Sequence, residues 1–292
     1  MISRRALLKG LLGGSLAGLL AAVDAFAVEP LFRLRVQKWA VKSPGWGGAP
    51  SIRIVTISDI HLGEPYVSLA RLARIVAETN ALAPDLVLLL GDYAAGHHFL
   101  TALVKIADAA PVLAGLTARL GTYAVLGNHD WWDDKAAQKR GGGPNLYATA
   151  LEAAGIPVLS NRAVRLDGFW LAGIEDQRAL LLGRHGVQGL DDLPGTLAQI
   201  TDAAPVLLMA HEPDIFPKVP PRVALTLSGH THGGQVRLFG WSPVVPSVYG
   251  NRYAYGHVEE DARHLVVSGG IGCSIAPIRF GMPPEITLVD LS

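Results

Sequence analysis

The chain has 292 residues, half of them hydrophobic, with 25 Lys+Arg against 25 Asp+Glu. That length supports a full buried core in one large domain or two small ones, and a net charge near zero leaves no broad positive field to gather nucleic acid. The single cysteine, Cys273, excludes an internal disulfide and any Cys-rich zinc module; it reads as a small buried residue, and any metal ligands have to be His, Asp, Glu or Asn.

Residues 1–27 carry a charged start with Arg4-Arg5, an apolar run over 10–23 and the small-residue stretch "AFA" ending at Ala27. This is the architecture of an export signal cleaved after Ala27. "SRRALLK" resembles the twin-arginine motif, with Leu7 where Phe is usual. The resemblance implies transfer of the folded protein by the twin-arginine export machinery to the periplasm or cell envelope. The competing reading is a retained inner-membrane anchor, since the apolar run extends to Ala27 if Asp24 is tolerated. Residues 28–50, ending in "SPGWGGAP", read as a lead-in, and 51–292 as the folded domain.

The domain opens with a β-branched strand, Ile52–Ile57, followed at once by "SDIHLG". From Ser68 the spacing of Leu69, Leu72, Val76 and Thr79 predicts a helix that ends at Ala83-Pro84. An apolar strand over 86–90 runs into "GDYAAG". A helical stretch over 99–120, interrupted at Pro111, precedes a strand over 122–126 that ends in "GNHDWW". A helix near 146–154, strands near 156–159 and 169–174 and a helix near 196–203 come next. The strand Val206–Met209 then leads to "AHEPD", a strand over 222–227 leads to "SGHTHGGQ", and "HLVVSGG" and "EITLVDLS" are strand-like. Strands alternate with helices early and meander late, which predicts an α/β layered fold with mixed sheets.

Five polar motifs therefore follow five strands: Asp59-x-His61, Gly91-Asp92, Gly127-Asn128-His129-Asp130, His211-Glu212 and Gly229-His230-x-His232. Each has a bland explanation as a cap, a turn or a satisfied core histidine, but strand ends on one sheet edge converge in space, and together these exceed what caps and turns supply. Seven O/N ligands are too many for one tetrahedral zinc. Two cations roughly 3.5–4 Å apart with a bridging carboxylate account for the number, and mixed carboxylate, amide and imidazole donors suit Mn, Fe or Zn better than Mg or Ca. The glycines of "SGHTHGGQ" let its backbone turn tightly and approach the metals.

With those motifs in that order, the chain resembles the calcineurin-like metallophosphoesterase superfamily, and its ending "PIRFGMPPEITLVDL" looks like the bacterial exported phosphodiesterase branch. The resemblance implies an αββα sandwich of two mixed β-sheets flanked by helices, with a dinuclear site at the C-terminal ends of the strands. It implies that Asp59, His61 and His232 hold one divalent or trivalent ion, that Asn128, His211 and His230 hold the other, and that Asp92 bridges them. His129 would lie by the substrate and act on the leaving oxygen. Asp130 either orients His129 or a ligand, or caps a helix.

Outside the motifs the signals are weaker. His97 and His98 line the site mouth or sit in an exposed loop. Trp131 and Trp132 offer a stacking platform or are core and helix-start residues. Residues 239–257, rich in aromatics, Pro and Gly, form a substrate rim or a structural hairpin. Arg279 is a bidentate phosphate clamp or an ion-paired arginine. The expected function is hydrolysis of phosphoric esters by a water activated between two cations, with a small phosphoester or phospholipid-type substrate and some membrane contact. A hydrolase of UDP-2,3-diacylglucosamine is the alternative within enzymes, and a non-catalytic metal-binding scaffold the alternative outside them.

Overall fold

A computed structural model of the chain describes the backbone of residues 4–292 and the packing of side chains from residue 13 onward. Ser3 of the twin-arginine-like motif, and the side chains of Arg4 and Arg5, lie outside the described residues.

Helix α1 (Arg4–Val23) runs into a π-helical turn, Asp24–Phe32, and Gly13–Phe32 is long and apolar enough to cross a membrane. The turn is fastened to the domain. Ala25 O accepts from Arg279 N, the buried Glu29 carboxylate accepts from Gly281 N and Met282 N, and Pro30 O accepts from Arg71 Nη1. The peptide bond after Ala27, the expected cleavage point, lies within this fastened segment.

Strand β1 (Arg35–Val41) corrects the lead-in over 28–50: it pairs in parallel with the last strand and belongs to the main sheet. Its sequence "RVQKWAV" mixes charged and apolar residues because an edge strand keeps one face wet, and Arg35 pairs with the buried Glu285 at 2.8 Å.

Strands β2 (Ile52–Ile57) and β3 (Gly63–Glu64) precede α2 (Leu69–Ala81), which Ser68 caps by accepting from Arg71 N. After β4 (Leu86–Leu89), the helix expected over 99–120 is replaced by a short strand, β5 (Ala102–Leu103), and a shorter helix, α3 (Ile106–Leu113). Here the Asn80 side chain bonds both Gly115 O and Thr117 N, so this stretch turns where a helix was expected to continue. Next come β6 (Thr122–Ala124) and the helices α4 (Asn128–Asp133), α5 (Lys135–Arg140) and α6 (Leu146–Ala153). The strand expected near 156–159 is reduced to one bridge, Ala124 to Val158.

Beyond it lie β7 (Arg162–Arg165), β8 (Trp170–Gly173), β9 (Leu180–Leu181), β10 (Val187–Gln188) and α7 (Leu193–Ala198). Helix α7 begins earlier than 196 because Asp192 accepts from Gly195 N and Pro194 fits the first turn. The chain ends with β11 (Val206–Met209), β12 (Val223–Ser228), β13 (Gly256–Glu260), β14 (Arg263–Val267) and β15 (Glu285–Leu291).

One sheet runs β1-β15-β2-β4-β6, the other β13-β14-β12-β11-β8-β7, and both mix parallel and antiparallel pairs. Side chains alternate between layers, as the two-residue strand period requires. Ile54, Leu86, Leu88, Leu207 and Met209 fill the space between the sheets. Val55, Ile57, Val87 and Leu89 face the α2, α3 and α6 side, while Val206 and Leu208 face Leu193, Ile215 and Phe216. The result is the αββα sandwich. Strands β2, β4 and β6 are mutually parallel, as are β11 and β12, so all five motifs leave C-terminal strand ends.

Candidate metal centre

Asp59, His61, Asp92, His230 and His232 all hold φ between 47° and 68°, the left-handed region that non-glycine residues rarely enter. A loop leaving a strand with this twist turns its side chain back over the sheet end, and such strain collects where function requires it. Close approach adds a second constraint: a Cβ on Gly229 would sit 2.6 Å from Asp59 Oδ2, so only glycine lets this strand end pass.

Two buried clusters result, and they share one carboxylate. In the first, His232 Nε2 lies 3.1 Å from His61 Nε2 and 3.5 Å from Asp59 Oδ1, and His61 Nε2 lies 3.7 Å from Asp92 Oδ2. In the second, His211 Nε2 lies 3.3 Å from Asp92 Oδ2, and His230 Nδ1 lies 2.9 Å from Asn128 Oδ1. The donor atoms of Asp59, His61 and His232, and those of Asp92, His211 and His230, each lie within 4.8 Å of one another.

The residues fit cations. Asp59 Oδ2, His211 Nε2 and His230 Nε2 are buried without a hydrogen-bond partner, which is costly unless a ligand takes them. His61 and His211 donate from Nδ1 to the carbonyls of Ala94 and Leu90, so in the neutral ring each turns an Nε2 lone pair into the site. His129 also comes close to His61 and Asp92, but it is half-buried and its Nε2 lies 3.3 Å from Ser274 Oγ at the pocket.

Burial pushes Asp59 up to about 6 and His61 down to about 3, and it drives His230 and His232 well below the usual imidazole range. Burial also opposes charge on Asp92 and His211, yet their mutual attraction wins. Asp92 is held well below the carboxylate range and His211 well above the imidazole range. A site that keeps most of its imidazoles neutral and its shared carboxylate ionised is ready for cations.

A pocket of about 430 Å³ opens over this floor, reaching Asp92, Asn128, His129, His230 and His232. Three sequence-based expectations move. Arg279 is fully buried and does not line the pocket: it donates to the carbonyls of Gly269, Gly272 and Met282 and lies 3.2 Å from His232 Nδ1. It braces His232 and the loop around it. Trp131 is buried with its indole N–H on Glu175, whereas Trp132 lines the pocket, its ring 5.1 Å from that of His129. His98 is exposed and does not line the pocket, and His97 is buried against Tyr66.

The Asp130 carboxylate makes no hydrogen bond to the His129 ring. It accepts from Asp92 N, Gly127 N, Tyr93 N and Ala94 N, all at 2.8–2.9 Å, and so locks two of the motif loops together. Burial and then Asp92 push it up to about 7, against four N–H donors that favour the anion.

The residue missed in the sequence is Arg178. It lines the pocket with its Nε unpartnered and lies in the loop that leaves β8, another strand end on the same edge. The Arg178 carbonyl accepts from the Trp132 indole, joining the two on one wall. Residues 239–257 contribute both to the pocket and to a turn. Pro243, Val244 and Pro246 line the pocket, while Leu238 and Trp241 form a small hairpin bridge.

The family model for calcineurin-like phosphoesterases matches residues 52–234. An uncharacterized metallophosphoesterase, YkuE, of Bacillus subtilis (strain 168) is 32% identical over 99% of this chain and 98% of its own length. Phosphodiesterase YaeI of Escherichia coli (strain K12) is 29% identical, with 83% of each chain covered. A Danio rerio transmembrane protein with a metallophosphoesterase domain is 32% identical over 82% of this chain and 53% of its own length.

Proposed function

This chain belongs to the calcineurin-like phosphoesterases, a metal-dependent family of phosphoester hydrolases, and from that premise we propose that it is a phosphodiesterase working with two transition-metal ions. The observation that carries the reading is Asp92, whose Oδ2 lies 3.7 Å from His61 Nε2 of one buried cluster and 3.3 Å from His211 Nε2 of the other, each cluster holding unpartnered donor atoms. Asp59, His61 and His232 would hold one ion, Asn128, His211 and His230 the other, with Asp92 between them; Mn, Fe and Zn fit these donors. When bound, such ions supply charge neutralisation on the phosphate and an activated water.

The chain's own residues do the rest. Arg178 reaches a phosphate oxygen with a guanidinium suited to bidentate contact. The His129 ring, steadied by Trp132 and Ser274, moves a proton at the leaving oxygen. Asp130 and Arg279 act one step back, fixing the loops that carry Asp92 and His232. A diester is favoured over a monoester because the pocket has an apolar wall: a second ester substituent fills it, whereas a monoester leaves it in water. The name of the Escherichia coli relative agrees with that preference.

The Arg4-Arg5 pair supports twin-arginine export, with helix α1 kept as an inner-membrane anchor and the domain on the periplasmic side. The test compares bis(4-nitrophenyl) phosphate with 4-nitrophenyl phosphate before and after chelation. Faster diester turnover that chelation abolishes and Mn, Fe or Zn restores is expected. Turnover insensitive to chelation, or a monoester preference, would overturn the reading.

A further inference from the structure

The wall of the pocket is apolar, formed by Val236, Pro243, Val244, Pro246, Ile275 and Ile278. Apolar side chains continue outward onto the surface: Phe239, Trp241, Val244, Val248 and Ile275 are all exposed, Phe239 completely. Two of them also sit on unfavourable backbone, Phe239 at φ 52° and the β-branched Ile275 at φ 66°. An exposed apolar residue on strained backbone stabilises nothing in the fold, so the water-facing position itself is what the loop maintains.

The same loop joins this rim to the N-terminal helix. Ser274, Ile275, Ala276 and Ile278 line the pocket, and the next residue, Arg279, donates its backbone N–H to Ala25 O. Glu29 grips Gly281 and Met282 just beyond. The apolar segment Gly13–Phe32 thus ends against the loop that forms the pocket wall, and Phe26 and Phe32 on its last turns are exposed too. A membrane-crossing segment that ends there brings the rim to the bilayer surface.

We propose that the exposed rim around Phe239, Trp241 and Val248 docks on the bilayer that the N-terminal helix enters, and that the pocket's apolar wall seats the hydrocarbon end of a phosphoester lipid drawn from that bilayer. This rests on the phosphodiesterase reading and names its substrate class. The lipid's phosphate lies over the histidine and aspartate floor beside Arg178, while its chain follows Val244, Ile275 and Ile278 outward.

The first arm of the test uses soluble alkyl 4-nitrophenyl phosphodiesters, methyl through octyl. The proposal expects kcat/KM to rise by about fourfold for each methylene that enters the wall, and the slope of that series to flatten in Val244→Ser. A flat series with brisk methyl-ester turnover overturns the hydrocarbon seat and leaves the phosphodiesterase reading intact; no turnover of any member by metal-loaded protein overturns both.

The second arm places the full chain in phosphatidylcholine vesicles with brominated acyl chains. Tryptophan emission is expected to be quenched, with the quenched component lost in Trp241→Phe. Equal quenching in the wild type and Trp241→Phe overturns the docking. Phe239→Ser with Val248→Ser lies outside the pocket lining and is expected to leave methyl-ester turnover unchanged while lowering the quenching; unchanged quenching also overturns the docking.

Discussion

The floor of the pocket and its outer wall are built on opposite terms. On the floor, carboxylates and imidazoles are buried, five candidate ligand residues sit on left-handed backbone, and several atoms lack any partner in the protein. On the wall and rim, apolar side chains face water. Each arrangement is unfavourable for a chain that only has to fold. The proposed function offsets each with something bound: cations below, hydrocarbon above, and a phosphate at the junction.

The contrast breaks most sharply at Asp92. Replacing it with Asn removes the shared charge that both clusters use, and kcat/KM for the diester is expected to fall by about a thousandfold with loss of bound metal. Full activity with full metal content in Asp92→Asn would contradict the role.

The next largest effect is on the scaffold below the floor. In Asp130→Asn the amide can face only one pair of the four backbone N–H groups with its oxygen, leaving the other pair against an NH₂. Unfolding by denaturant is expected to register a loss of about 3 kcal/mol. An unchanged stability would mean that the loops are held by other contacts.

Arg178 stands where floor meets wall. Arg178→Ala is expected to lower kcat/KM by about a hundredfold, and Arg178→Lys to restore part of it, because a point charge replaces a fork. Metal content should not change, and a drop in metal content would reassign Arg178 to the floor. The mildest effect distinguishes residues within the floor. Asp59 is pushed up to about 6, so below that pH a proton competes with the cation, and metal affinity should weaken roughly tenfold per pH unit. His61, pushed down to about 3, stays neutral and does not compete in that range. Calorimetric metal titrations at pH 5 and pH 7 check the sign; equal affinities would contradict it.

The floor was legible in the sequence for a physical reason: each ligand follows an apolar strand within two to four residues, so strand and chemistry share one short window. The edges of the fold were less legible. Strand β1 has one wet face and no clean apolar run, and α3 is shortened by an Asn80 contact from a distant helix. Trp131 and Trp132 differ because adjacent positions on α4 point about 100° apart, one into the core and one toward the pocket. Arg279 was misread because the sequence does not distinguish a guanidinium that meets phosphate from one that meets carbonyls. Arg178 was missed because "GIEDQR" carries no histidine, although it too follows a strand on the active edge.

The central claim is that this protein hydrolyses phosphodiesters with two cations sharing Asp92. The most direct test is to strip the purified full chain of metal and return Mn, Fe or Zn in measured equivalents while following bis(4-nitrophenyl) phosphate turnover. Activity is expected to climb to a plateau at two equivalents per chain. A plateau at one equivalent, or two tightly bound equivalents with no turnover of any phosphoester, would contradict it.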